Sequence, residues 1–131
     1  MNKKILVIED DRSSLKLLTH ALGHEGYEVL AASDGLTGLK TVQNEHPDLI
    51  ILDVMLPGLD GYEICRRLRK QPETATVPII FLSARADQGD MNEGLRMGAN
   101  AYLTKPVLPS SILAKVESLL ASVNMPVDAK A

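Results

Sequence analysis

The sequence predicts an α/β protein built on an open, doubly wound sheet of five parallel strands with helices on both faces. Two observations lead to that fold class. Three short apolar runs, Ile5-Leu6-Val7-Ile8, Leu49-Ile50-Ile51-Leu52 and Ile79-Ile80-Phe81-Leu82, lack polar alternation, which suits strands buried on both faces. Amphipathic helical stretches separate the runs, so the order β-α repeats five times, and right-handed crossovers then place helices on both sides of one parallel sheet.

Each element has its own signal. The first strand covers Ile5 to Ile8, and Leu15, Leu18 and Leu22 mark the helix after it, with Gly26 as a left-handed stop. A weaker second strand spans Tyr27-Glu28-Val29-Leu30-Ala31. Ser33 or Asp34 caps the next helix, which carries Leu36, Leu39 and Val42 and ends before Pro47. Ile64, Cys65 and Leu68 mark the third helix. The fourth, from about Gln88 to Met97, has only Met91 and Leu95 as an apolar stripe beside Gly94 and Gly98, and is expected to be the least firmly held. Ala101-Tyr102-Leu103 forms the fifth strand. Pro109 or Ser110 opens the last helix, whose buried face is Ile112, Leu113, Val116, Leu119 and Leu120. Among five-stranded versions, the flavodoxin-like strand order 2-1-3-4-5 is expected. Residues 1–123 read as one domain, and 124–131 as a C-terminal tail or truncated linker.

Composition sets limits on function. The 131 residues are 45% apolar and 24% charged, the usage of a globular domain. A net charge of −3 argues against direct nucleic-acid or membrane binding, either of which would want a basic excess. One cysteine, Cys65, excludes a disulfide framework or a cysteine-based zinc site, and the absence of Trp with only 3% aromatics argues against a flavin- or base-stacking surface. The apolar run behind Met1-Asn2-Lys3-Lys4 is too short for a signal peptide, and nothing approaches the ~20 apolar residues of a membrane span; the expectation is a cytoplasmic protein.

The chemistry lies where strands end. The first strand runs into Glu9-Asp10-Asp11, the third into Asp53, the fourth into Ser83, and the fifth into Thr104-Lys105-Pro106. In an open α/β sheet, ligands bind outside the carboxyl ends of the strands where strand order reverses, here between strands one and three, so Asp10 and Asp53 should meet. Crowded carboxylates raise one another's pKa unless a cation holds them ionised, and two or three carboxylates with room for water suit Mg²⁺ better than a Ca²⁺ cage. Beside such a cation Asp53 can act as nucleophile toward a phosphoryl group, giving an acyl phosphate. That transfer needs charge neutralisation and positioning. Lys105 offers a second positive partner, Ser83 a hydroxyl donor, and Ala84 a backbone N–H.

On these residues the sequence resembles the CheY-like phosphoacceptor receiver domains of bacterial two-component response regulators. The matching stretches are Lys4 to Asp11, Pro47 to Gly61, Val77 to Arg85 and Gly98 to Pro106, in order and at the family's spacing, within a resemblance that runs from about Lys4 to Ser122. The resemblance implies that Asp53 accepts a phosphoryl group from a sensor histidine kinase or a histidine phosphotransfer protein. It also implies Mg²⁺ bound by Asp10, Asp53 and the backbone carbonyl of Met55, with Glu9 helping through water. Ser83 and Lys105 would contact phosphoryl oxygens, the Lys105-Pro106 bond would be cis, and Tyr102 would be the switch aromatic that turns inward as Ser83 moves. A downstream output domain or target protein would read the switch, which catalyses only its own phosphorylation and dephosphorylation.

The chain departs from receivers attached to winged-helix DNA-binding domains. Asn100-Ala101 stands where those often carry two acids, and Pro109-Ser110-Ser111 lacks their usual charges, so a monomer or weak dimer is expected. Arg85 is expected at the pocket rim, tuning water access. His20 and His24 are four apart but have no third ligand, and Cys65 reads as inert core. Two competing classes remain open. A haloacid-dehalogenase-like phosphatase would want an acid two residues after Asp53, where Met55 stands. A non-phosphorylated interaction module would typically have lost one of the acids or the lysine.

Overall fold

A computed structural model of the chain describes residues 2–84 and 88–123. The strands are β1 (Lys4–Ile8), β2 (Glu28–Ala32), β3 (Leu49–Asp53), β4 (Ile79–Ser83) and β5 (Ala101–Thr104). Between and after them run α1 (Arg12–His24), α2 (Gly35–Glu45), α3 (Gly61–Arg69), α4 (Gln88–Arg96) and α5 (Pro109–Val123). All pairings are parallel and the sheet order is β2-β1-β3-β4-β5, the order expected from the sequence. Arg85 and residues 124–131, assigned above to a pocket rim and a tail, lie outside the described residues.

Strand alternation sorts the core into two layers. Leu6, Ile8, Ile50, Leu52, Ile79 and Phe81 face α2, α3 and α4, meeting Val42, Ile64, Cys65 and Leu68. Their sequence neighbours Ile5, Val7, Ile51, Ile80 and Leu82 face α1 and α5, meeting Leu18, Leu22, Ile112, Val116 and Leu120. The sheet's central residues are thus buried whichever face they take, which is why the sequence shows unbroken apolar runs rather than alternation. β2 is an edge strand with partly exposed side chains, and its apolar signal is correspondingly weak. It begins at Glu28 rather than Tyr27.

Three helices start on aspartates. Asp11, Asp34 and Asp60 each accept a hydrogen bond from the backbone N–H three residues on, of Ser14, Thr37 and Glu63, satisfying donors that the first helical turn leaves free. Of the two candidate caps for α2, Asp34 is the one used. Leu36 and Leu95, read above as core-facing, are instead 62% and 47% exposed. Glycines take the contact positions in their place: a Cβ on Gly38 would lie 2.5 Å from Ile8 Cδ1, and one on Gly94 2.6 Å from Tyr102 Cδ2. A hydrophobicity pattern registers side chains, so it misses a helix face that packs through bare backbone. α4 adds only the partly buried Met91 and, just beyond it, Met97 to the core.

At the edge opposite the strand ends that carry the acids, Asn100 has a defined task. Its Oδ1 accepts from the backbone N–H of Ile79 at 2.9 Å and from Arg69 Nη2 at 3.0 Å, while Arg69 also donates to the carbonyls of Gly98 and Thr74. The residue where related classes carry an acid thus closes the start of β4 and ties α3 to the turn before β5. Asn100→Ala leaves the N–H of the buried Ile79 without this acceptor, and a loss of about 1–3 kcal/mol is expected in urea unfolding.

Candidate functional site

The carboxyl ends of β1, β3, β4 and β5 converge on one crevice. Glu9 follows β1 directly; its backbone N–H still donates to Ala32 at 3.0 Å, which keeps the residue in line with the strand and its side chain fully buried. Asp10 comes next and is exposed. Asp53 is the last residue of β3 and only 3% exposed, because Val54 N–H continues the ladder to Leu82. Ser83 closes β4, fully buried, and its carbonyl accepts from Lys105 N–H at 2.7 Å. The Lys105-Pro106 peptide bond is cis.

Lys105 is the cation of the cluster. Its Nζ lies 2.9 Å from Asp53 Oδ2 and 2.6 Å from Glu9 Oε1. The second contact is a close ion pair, and Glu9 Oε1 has no other partner among the described residues. The other oxygens are held by backbone: Met55 N–H donates to Asp53 Oδ1 at 3.0 Å and Asp11 N–H to Glu9 Oε2 at 3.2 Å. Burial is the main force pushing the Glu9 carboxyl up to about 7, with the Asp53 carboxylate adding to it and Lys105 and the Asp11 N–H opposing. Burial acts to lower the pKa of Lys105, but contacts with Glu9 and Asp53 outweigh it and leave the group above its ordinary value. It stays an ammonium at neutral pH.

Three carboxylates share this crevice with one ammonium. Oxygens of Glu9, Asp10 and Asp53 all lie within 4.8 Å of one another. The donor set is all oxygen with no nitrogen or sulfur, and one member faces solvent; these features fit a hard divalent cation that keeps some of its water, as Mg²⁺ does. Among the described residues no other such group of acids, histidines and cysteines occurs.

Of the residues singled out from sequence, Glu9, Asp10, Asp53 and Lys105 are brought into direct proximity. Ser83 and the exposed Ala84 stand at the next strand end, and the Met55 side chain is exposed while its N–H faces Asp53. Tyr102 is not in the crevice but behind it, buried against Phe81. His20 and His24 are exposed on α1. Cys65 is fully buried, its thiol donates to the Met97 carbonyl, and burial raises its pKa, so it is not a reactive thiolate. Gly61, not among the site residues expected from sequence, has a spatial role: a Cβ there would stand 2.5 Å from the backbone oxygen of Asp53 and 2.8 Å from Val54 Cα. The pairing of Asp60 as cap with a glycine at the first helical position was the available signal.

An aspartate at a strand end, flanked by acids and a lysine at the switch point of a 2-1-3-4-5 sheet, is the arrangement expected of a receiver domain. Comparison with known proteins agrees. The model of the response regulator receiver domain matches residues 5–117, and the chain belongs to that family. It is 48% identical over 120 residues to the alkaline phosphatase synthesis transcriptional regulatory protein PhoP of Bacillus subtilis, covering 92% of this chain and 49% of that one. It is 41% identical to the response regulator PleD of Caulobacter vibrioides, covering 91% and 26%. The chain therefore spans about half the length, or less, of these curated relatives. Among solved structures, the Francisella response regulator 1452 receiver domain superposes with a TM-score of 0.89 at 32% identity, covering 94% of this chain and 100% of that one. The chemotaxis response regulator CheY4 of Vibrio cholerae gives 0.86 at 31%, covering 91% and 99%. Receiver domains are phosphorylation-activated switches of two-component response regulators, and such regulators work with histidine kinases and output domains. No described helix is long and apolar enough to cross a membrane.

Proposed function

We propose that Asp53 is the phosphoacceptor of a Mg²⁺-dependent switch, charged by a sensor histidine kinase or a histidine phosphotransfer protein and read by a downstream output domain or target. The observation that carries this is the crevice itself: a buried strand-end carboxylate 2.9 Å from an ammonium, within 4.8 Å of two more acids. Residues 1–123 form the receiver unit, and it acts in the cytoplasm as a monomer or weak dimer.

In the transfer, an Asp53 carboxylate oxygen attacks phosphorus in line. A P–O bond forms, the P–N bond of the phosphohistidine breaks, and its electron pair leaves on the imidazole nitrogen. Asp10, Asp53 and the Met55 carbonyl would hold Mg²⁺, helped by Glu9, and the cation would supply neutralisation of the charge on the transferring oxygens. Lys105 exchanges its contact with Asp53 Oδ2 for a phosphoryl oxygen. The Ser83 hydroxyl and the Ala84 N–H donate to the others. Carboxylate becomes acyl phosphate, adding roughly one negative charge and new acceptor oxygens. Ser83 is drawn toward them, and through the β4–β5 pairing that sets Ser83 beside Thr104 and Phe81 beside Tyr102 this favours the inward position of Tyr102.

Incubation with acetyl phosphate and Mg²⁺ followed by intact mass tests the reading. The expected result is a lasting adduct of about 80 Da, the mass of one phosphoryl group, absent in Asp53→Ala and absent with excess chelator. No adduct on the wild-type chain would leave an inert interaction module. Steady release of phosphate with no adduct would make the protein a phosphatase.

A further inference from the structure

The Tyr102 ring packs against α4 with no room left for a side chain at residue 94. The Tyr102 ring is 6% exposed and stands edge-on to Phe81, with centroids 6.2 Å apart, while Phe81 is edge-on to Tyr62 at 5.3 Å. The Tyr102 hydroxyl is buried and has no hydrogen-bond partner. α4 closes over this ring only because residue 94 is glycine. A Cβ there would lie 2.6 Å from Cδ2 and 2.9 Å from Cε2 of Tyr102, and 3.0 Å from Phe81 Cδ2. Gly94 does not have a positive φ, so its value is space and not backbone freedom, in a helical position where alanine would otherwise be preferred. Two penalties therefore meet at one contact: a glycine within a helix, and a tyrosine hydroxyl taken from water without a partner. The hydroxyl penalty is relieved when the ring leaves, whereas the glycine penalty is the standing cost of leaving room for it.

We propose that Gly94 is a positioning residue of the switch: the notch it leaves in α4 admits the Tyr102 ring, so residue 94 sets the balance between inward and outward Tyr102 and, through it, the affinity of the Asp53 crevice for a phosphoryl group. The inference rests on the proposed role of Tyr102. The route between the two sites is short. Phe81 pairs with Tyr102 in register, Ser83 pairs with Thr104 two residues on, and Lys105 N–H is bonded to the Ser83 carbonyl. An inward ring thus fixes the strand pair that aims Ser83 and Lys105.

The test is a titration of the full chain with beryllofluoride, a phosphoryl mimic, in the presence of Mg²⁺, for wild type, Gly94→Ala, Tyr102→Ala and the double variant. Gly94→Ala is expected to weaken binding by at least about fivefold, a typical coupling between two sites. The same substitution in the Tyr102→Ala background is expected to have a much smaller effect, because the closest ring is gone and only Phe81 Cδ2 at 3.0 Å remains. Losses that add in the double variant would mean that residue 94 acts by a route that does not run through the Tyr102 ring, and that result, or unchanged affinity in Gly94→Ala, overturns the proposal. Tyr102→Phe provides a measurement that leaves α4 intact: it keeps the ring and removes the unpaired hydroxyl, so tighter beryllofluoride binding is expected, and weaker binding counts against the proposal. If the wild-type chain itself binds no beryllofluoride, the reading of Asp53 fails first and this one falls with it.

Discussion

Lys105→Ala is expected to slow phosphorylation of Asp53 by acetyl phosphate about 10²–10³-fold, the size of effect seen when one preorganised donor to a developing anion is removed. Lys105 Nζ is held 2.9 Å from Asp53 and 2.6 Å from Glu9, so it is in place before the phosphoryl group arrives and little reorganisation is needed. The same substitution has a second signature. It leaves the buried Glu9 and Asp53 without their ammonium, and removing one partner of a buried ion pair costs several kcal/mol. Because a quarter of the Lys105 side chain is exposed, the expected loss in urea unfolding is smaller, about 2–3 kcal/mol. Millimolar Mg²⁺ should recover part of the stability but not the rate, since it restores positive charge without restoring a donor to the phosphoryl oxygen. A rate within threefold of wild type (about 0.7 kcal/mol) would remove Lys105 from the mechanism.

Gly61→Ala should be the most damaging single-methyl insertion near the crevice. Its Cβ would meet Asp53 O at 2.5 Å and Val54 Cα at 2.8 Å, and these are backbone atoms, which have no rotamer to change. Either the start of α3 lifts, breaking the Asp60 cap on Glu63 N–H and the Gly61 N–H bond to the Val54 carbonyl, or the end of β3 shifts and carries Asp53 with it. Overpacking of this kind costs about 1–3 kcal/mol, and the upper end is expected here. Thermal unfolding measures that part. The more telling readout is the acetyl phosphate reaction under conditions where the variant is folded: a displaced Asp53 reacts at least about tenfold more slowly, because small misplacements of reacting groups carry large rate penalties. Wild-type stability and rate together would mean that neither strand nor helix end needs the close approach.

The chain's own residues determined the sheet, and which polar residues gather at its carboxyl edge, to a considerable depth. Ile5–Ile8, Leu49–Leu52 and Ile79–Leu82 announced buried strands because both faces of a central parallel strand are covered, so every side chain in the run must be apolar. Glu9, Asp10, Asp53, Ser83 and Lys105 were legible as neighbours at one edge of the sheet for a related reason: each closes a strand or lies within two residues of its end, and parallel strands send all such positions to the same edge. Only the folded molecule decided what happens through atoms that a sequence pattern does not register. Leu36 and Leu95 looked like core and face water, while Gly38, Gly61 and Gly94, which offer no side chain to read, are the points of closest approach. The work of Asn100, the ion pairing of Lys105 with Glu9 and the inward seat of Tyr102 belong to the same category. Periodicity reports which residues are greasy along one element, whereas these features depend on the distance between two elements, and that distance exists only once they have packed.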